Sequence, residues 1–222
     1  MLLLNLDLLA RDPSRFLVVV GLGLVALLLA ITIHEFSHAL LAHRLGDHTA
    51  HRLGRLTLNP LAHLDPVGTV LLLLVGFGWG RPVPVNAYAL KGNPKTSMAL
   101  VALAGPLSNF LLAAALALPL RNAYALPEYL EEVLFRVFFF NLLLGVFNLL
   151  PVAPLDGFKV ALGLLPRQTA YSFARLEPYG PGILMIVIAA GYFIPGFNPL
   201  WDILSPVINL LSLLLLGQRI IL

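Results

Sequence analysis

The sequence predicts an all-α polytopic membrane protein of about five or six transmembrane helices, with a re-entrant or β-hairpin-like segment after the first of them. Three observations carry this. Of 222 residues, 59% are hydrophobic and 11% charged, and the mean hydropathy is +0.90, more apolar surface than a soluble domain of this length buries. Several apolar stretches approach or exceed the about 20 helical residues that cross a hydrocarbon core. Lys and Arg gather in the short connections of one side, as the positive-inside rule requires.

The first stretch, 16–42, follows Arg11 and Arg15 and continues into His34 and Glu35. It is too long for a signal-peptide core and has no small-residue cleavage site. The next, 67–79, is shorter, and its Gly68, Gly76 and Gly78, with Gly80 and Arg81-Pro82-Val83-Pro84-Val85 after it, read as a broken or extended segment rather than a clean helix. Such backbone is tolerated at membrane depth only where protein covers it. Four more spans are read at 98–120, 132–153, 181–197 and 203–218. No internal repeat, low-complexity tract or separate soluble domain interrupts them.

Charge placement decides whether 67–79 crosses. With the amino terminus outside and 67–79 not crossing, the cytoplasmic side receives Arg44, Arg52, Arg55, Arg81, Lys91, Lys95, Lys159, Arg167, Arg175 and Arg219. The outer side keeps Arg11, Arg15 and Arg121, with Arg136 just inside a span. If 67–79 crossed, the helix ends bearing His38 and Asp156 would lie on opposite faces. Topology also accounts for the net charge of +3, so nucleic acid is not expected as a partner.

The chain has no cysteine, which excludes disulfides and thiolate ligands and leaves six histidines and eleven carboxylates to hold any metal. His34-Glu35-Phe36-Ser37-His38 is an HExxH sequence at the end of an apolar helix. Spacing of four puts both imidazoles on one face, one turn apart, within reach of one tetrahedral ion. Glu35 lies on a neighbouring face and can take a proton from water. In soluble helices the motif also arises by chance; inside a span, three ionisable residues in five positions are costly and point to function. A catalytic site normally has three protein ligands, and the best third candidate is Asp156. Pro151 and Pro154 unwind the end of the 132–153 helix, and Gly157 permits a sharp turn after the carboxylate. On local sequence alone, Asp156 reads equally well as a helix-terminal Asp in an interfacial turn; its predicted side of the membrane favours the ligand. His63 and Asp65 read as turn or supporting residues.

With these motifs in order, the chain resembles the site-2 proteases, a family of intramembrane zinc metalloproteases, in its small prokaryotic form without PDZ or CBS domains. The resemblance rests on HEFSH at 34–38, NPLAHLDPVGT at 59–69, GWGRPVPVN at 78–86, AGPLSN at 104–109 and NLLPVAPLDG at 148–157, and covers most of 30–165. It implies zinc held by His34, His38 and Asp156, with Glu35 as the catalytic carboxylate. It implies too that Asn109 and Asn148 line the catalytic cavity, where their amides hold the scissile carbonyl or its oxyanion; an amide within a span can equally serve as interhelical glue. The expected activity is hydrolysis of peptide bonds within or near the transmembrane segments of single-span membrane proteins. The expected setting is the plasma membrane, multi-pass, with the active site toward the cytoplasm. One membrane-embedded protease domain fills 1–222, with a catalytic core at about 16–165 and accessory helices at about 180–218. The Gly- and Pro-rich stretch Gly76–Asn86 reads either as a strand edge for an unwound substrate or as a covering hairpin. The helices after Gly180, with Pro181, Pro195, Pro199 and Pro206, are expected to complete the bundle rather than form a lateral gate. The alternative from another class is an ion- or metal-coupled transporter whose intramembrane His, Glu and Asp relay protons; no paired inverted halves support it.

Overall fold

The computed structural model describes residues 2, 6–121, 126–194 and 196–221, with Val75 by its backbone only; Pro195 therefore lies outside the described residues. Among the described residues ten α-helices follow one another: α1 Leu6–Arg11, α2 Pro13–Arg44, α3 Thr49–Arg52, α4 Pro66–Val75, α5 Pro94–Leu120, α6 Glu128–Asn148, α7 Asp156–Leu164, α8 Arg167–Ala174, α9 Gly180–Phe193 and α10 Pro199–Leu216. No strand forms among the described residues; a single antiparallel bridge joins Leu64 to Gly80.

Among the described residues, four helical runs are long and apolar enough to cross a membrane: α2, α5, the run Arg167–Phe193 that ends in α9, and α10. Expected span 132–153 corresponds to α6, 21 residues long. Its first half carries Glu128, Glu131, Glu132 and Arg136, which lowers its apolar character; Arg136 is paired with Glu132 at 2.6 Å. The helix stops at Asn148, short of Pro151, because a proline there has no N–H to continue the ladder.

Segment 67–79 departs from the expectation of an unhelical stretch. Residues Pro66–Val75 form a regular helix, N-capped by Asp65, whose Oδ1 accepts from Gly68 N, and closed by Gly76 in the left-handed region at φ 79°. Only the part beyond it is extended. At about 1.5 Å per residue this ten-residue helix is about 15 Å long, half a hydrocarbon core. Gly68 and Gly78 let the returning chain lie directly against α4, where a Cβ on either would collide with backbone.

The core gathers around α5, which packs against α2, α6 and α7. Small residues let these helices approach, as membrane packing favours: Ala113 and Ala117 lie buried against Phe138, Leu142 and Val146 of α6 and against Leu204 and Ile208 of α10. Gly145 of α6 sits under the ring of Phe110. With α2, α5, α6 and α7 fixed in this way, the residues that carry chemistry converge on one point.

Candidate metal centre

On α2, His34 and His38 stand one turn apart, their rings edge to face with centroids 4.6 Å apart and planes at 85°. Both are buried, at 4% and 7% exposure. Across from them on α5 lies Gly105, where a Cβ would come within 2.6 Å of His38 Cε1 and 2.7 Å of His34 Cε1. Only glycine lets α5 close over two imidazoles. Asp156, the first residue of α7, completes the group: its Oδ2 is 2.9 Å from His34 Nε2 and 3.1 Å from His38 Nε2. Gly157 makes this possible, since a Cβ there would run into the carbonyls of Leu149 and Leu150. One ligand atom from each of His34, His38 and Asp156 lies within 4.8 Å of the other two.

The far sides of both rings are also fixed. Asn141 Nδ2 donates to Val137 O at 2.8 Å, so its Oδ1 is the acceptor that receives Asn109 Nδ2 at 2.8 Å. Asn109 Nδ2 also donates to Ala30 O at 3.0 Å, which leaves its Oδ1 to accept from His34 Nδ1 at 2.7 Å. His38 Nδ1 in turn donates to Val101 O at 2.7 Å. With the proton of each neutral ring held at Nδ1, both Nε2 atoms present lone pairs toward a carboxylate oxygen. In these tautomers three acceptors face one another, and a cation between them removes their repulsion. The separations of 2.9 and 3.1 Å are close to the about 3.3 Å between neighbouring ligands on a tetrahedral zinc ion. The donor set therefore fits the metal that the sequence implies.

Glu35 faces the same space. Its Oε2 accepts from the backbone N–H of Val83 at 2.9 Å, which anchors the carboxylate to the extended stretch after α4. That stretch is held in turn by Arg81 N donating to His63 O at 2.8 Å and by the buried Arg55 guanidinium, which donates to the carbonyls of Arg81 and Pro82. His63 and Asp65 are supporting residues: the first is fully buried with Nε2 on Thr57 O, the second caps α4. A cavity of about 860 Å³ opens beside His34, His38, Asp156 and Glu35. Its wall includes Trp79 and Val83 of the extended stretch, Asn148 of α6, and Tyr192 and Trp201 of α9 and α10.

The two asparagines of the sequence reading are placed differently. Asn109 does not line the cavity: it is fully buried behind His34 with its amide donating to Ala30 and Asn141. No donor is left to hold an oxyanion, and its contact is with the ring instead. Asn148 does line the cavity, with Nδ2 donating to Leu144 O at 3.0 Å. The last two helices both contribute to the cavity wall. Asn141 was missed altogether, although it carries the signal that singled out Asn109 and Asn148, an amide in an apolar helix that must find a partner.

Fold and site together define a membrane-embedded helical protein with the donor set and neighbouring carboxylate of a metallohydrolase. A model of peptidase family M50 matches residues 120–189, the stretch that holds Asn141, Asn148 and Asp156. Relatives extend the match beyond it. The protein named "Putative zinc metalloprotease YwhC" in Bacillus subtilis is 39% identical over 189 residues, 82% of this chain and 84% of its own. Rip2 of Mycolicibacterium smegmatis, named in the same way, is 32% identical over 190 residues, 81% of this chain and 72% of its own. Rip2 of Mycobacterium tuberculosis is 29% identical over 189 residues, 81% and 71% of the two chains. No solved structure matches. The chain belongs to peptidase family M50.

Proposed function

We propose that this protein is an intramembrane zinc metalloendopeptidase that hydrolyses peptide bonds within or near the transmembrane segments of membrane proteins. One observation carries the reading: two histidine Nε2 atoms and a carboxylate converge on one point beside Glu35, at the end of a helix that can span a bilayer. His34 Nε2, His38 Nε2 and Asp156 would hold the ion. Zinc bound there supplies a Lewis acid that brings the pKa of a water toward about 7 and polarises the peptide carbonyl.

The chain's own groups do the rest. Glu35 is held through Oε2 by Val83 N–H, which leaves Oε1 to accept the proton of the attacking water and later return it to the leaving amine nitrogen. Asn109 and Asn141 keep the His34 proton at Nδ1, so the ring binds through Nε2. Asn148, in the cavity wall, would donate its second amide hydrogen to the substrate carbonyl. The scissile bond of a transmembrane helix is hidden in the helical ladder, and the extended stretch 77–86 offers backbone partners to an unwound peptide.

The topology that charge supports is multi-pass in the plasma membrane, amino terminus outside, with α6 as a fifth crossing and α4 entering without crossing. The centre then opens toward the cytoplasm, and 1–222 acts as one protease domain on single-span substrates. The transporter alternative finds no support, since the family is one of peptidases. The test is cleavage of single-span peptides by purified protein with zinc. Glu35→Gln should lower the rate by about 10²–10⁴-fold, the usual worth of a general base. Equal cleavage by wild type and variant sinks the reading.

A further inference from the structure

Five residues beyond His38, α2 ends on a second group of histidines. Five helical residues advance about 7.5 Å and turn about 140° around the axis, so His43 points away from His34 and His38. The chain then folds back through Gly46, at φ 104°, and His48, which precedes α3, and His51 within it return to His43. Ring centroids lie 4.5 Å apart for His43 and His48 and 5.0 Å apart for His43 and His51. His43 Nδ1 and His48 Nδ1 are 2.8 Å apart.

The turn that gathers these rings is held by other groups. Asp47 is fully buried; its Oδ1 accepts from Thr49 N at 2.9 Å and Thr49 Oγ1 at 2.6 Å, and its Oδ2 accepts from Asn86 N at 2.7 Å. Arg55 N donates to Ala50 O at 2.8 Å, closing the turn from the other side. The three imidazoles are thus not consumed by the fold, and His48 and His51 are exposed.

We propose that His43, His48 and His51 form a second metal site, with His43 as its hub, for a divalent transition ion of the zinc, nickel or copper kind. Imidazole nitrogens favour these ions over magnesium or calcium. The 2.8 Å between the two Nδ1 atoms needs to open by only about 0.5 Å to match neighbouring nitrogens on a tetrahedral ion. The ring that donates in the metal-free pair moves its proton to Nε2 when the ion enters. His51 swings in by side-chain rotation, and water takes the remaining position. Arg44 and Arg52 adjoin the cluster in sequence and no carboxylate belongs to it, so the site binds more weakly than His34, His38 and Asp156. It shares no residue with that centre.

The test is zinc titration of untagged, metal-stripped, full-length protein in detergent micelles, followed by calorimetry. Two classes of site are expected. The variant H43A/H48A/H51A loses the weaker class and keeps the tighter, whereas H34A/H38A loses the tighter and keeps the weaker, so the two centres can fail separately. His43→Ala alone weakens the second class by more than about tenfold, the least that losing even an outer partner of a metal site costs. Should the triple variant lose both classes, His51→Ala, at an exposed position, decides by the same criterion. A single class of site in the wild type, or a weaker class that these substitutions leave unchanged, overturns the assignment.

Discussion

The helices that carry the centre and those that wall the cavity opposite it are built differently. In the apolar stretches of α2 and α5, 33% and 39% of residues are buried inside the molecule, against 11% in the run Arg167–Phe193 and 17% in α10. The first pair meets at small residues and exchanges polar contacts, such as His38 with Val101 and Asn109 with Ala30. Tyr192 and Trp201, by contrast, line the cavity from helices that face outward over most of their length. On the proposed function, position is fixed where a metal would be held, and it is left to fewer contacts where peptides of differing sequence would be received.

The largest effect should come from breaking the tight half. Gly105→Ala places a methyl against both imidazole rings, and a displacement near 1 Å at a reacting centre costs about 10²-fold. Peptide cleavage should fall by at least that much, with zinc content falling in parallel by metal analysis. Asn109→Leu removes the acceptor that fixes the His34 tautomer and should weaken zinc binding by about 10–100-fold. Asn109→Asp keeps an acceptor at that point and should restore part of it. Unchanged zinc affinity in Asn109→Leu would show that the amide is packing only.

Substitutions in the loosely packed half should separate binding from chemistry. Trp201→Ala should raise KM within about tenfold, leave kcat and zinc content near wild type, and alter which peptides are cut. A collapse of kcat at this position would erase the distinction between the halves.

The smallest effect concerns the turn after α2. Burial works to raise the Asp47 carboxyl, but the Thr49 and Asn86 hydrogen bonds, with the charge of Arg52, outweigh it and hold it below the usual range. A folded pKa below the unfolded value of about 3.9 gives stability that is present above that pH and lost as pH falls through the folded value. Asp47→Asn should therefore lower thermal stability by a few degrees at pH 7 and reduce the loss expected of wild type as pH falls below about 4. Melting curves in micelles at both pH values check the sign.

How much of this was legible in the sequence follows the range of the interaction involved. HExxH is a local pattern, so the pairing of His34 with His38 could be read from helical spacing. Asp156 lies far along the chain, and only the prolines before it and the charge asymmetry brought it to the same side. Contacts set by packing were not legible. Asn109 reads as a cavity residue until α6 is seen to deliver Asn141 against its amide. Gly105 shows its purpose only when α5 lies over the two rings. Glycines at 76 and 78 suggested a broken segment, yet Asp65 and Gly76 cap a regular helix between them. Side-chain caps and an apolar run outweighed Gly68, which is needed for the close return of Trp79.

The central claim is that Asp156 and the two histidines hold one ion on which Glu35 acts without binding it. Zinc at the tight site and cleavage of a single-span peptide, measured together in Asp156→Ala and Glu35→Gln, test it most directly. The expected result is that Asp156→Ala loses both zinc and cleavage, while Glu35→Gln keeps zinc and loses cleavage. Zinc retained at full affinity in Asp156→Ala, or cleavage retained in Glu35→Gln, would contradict it.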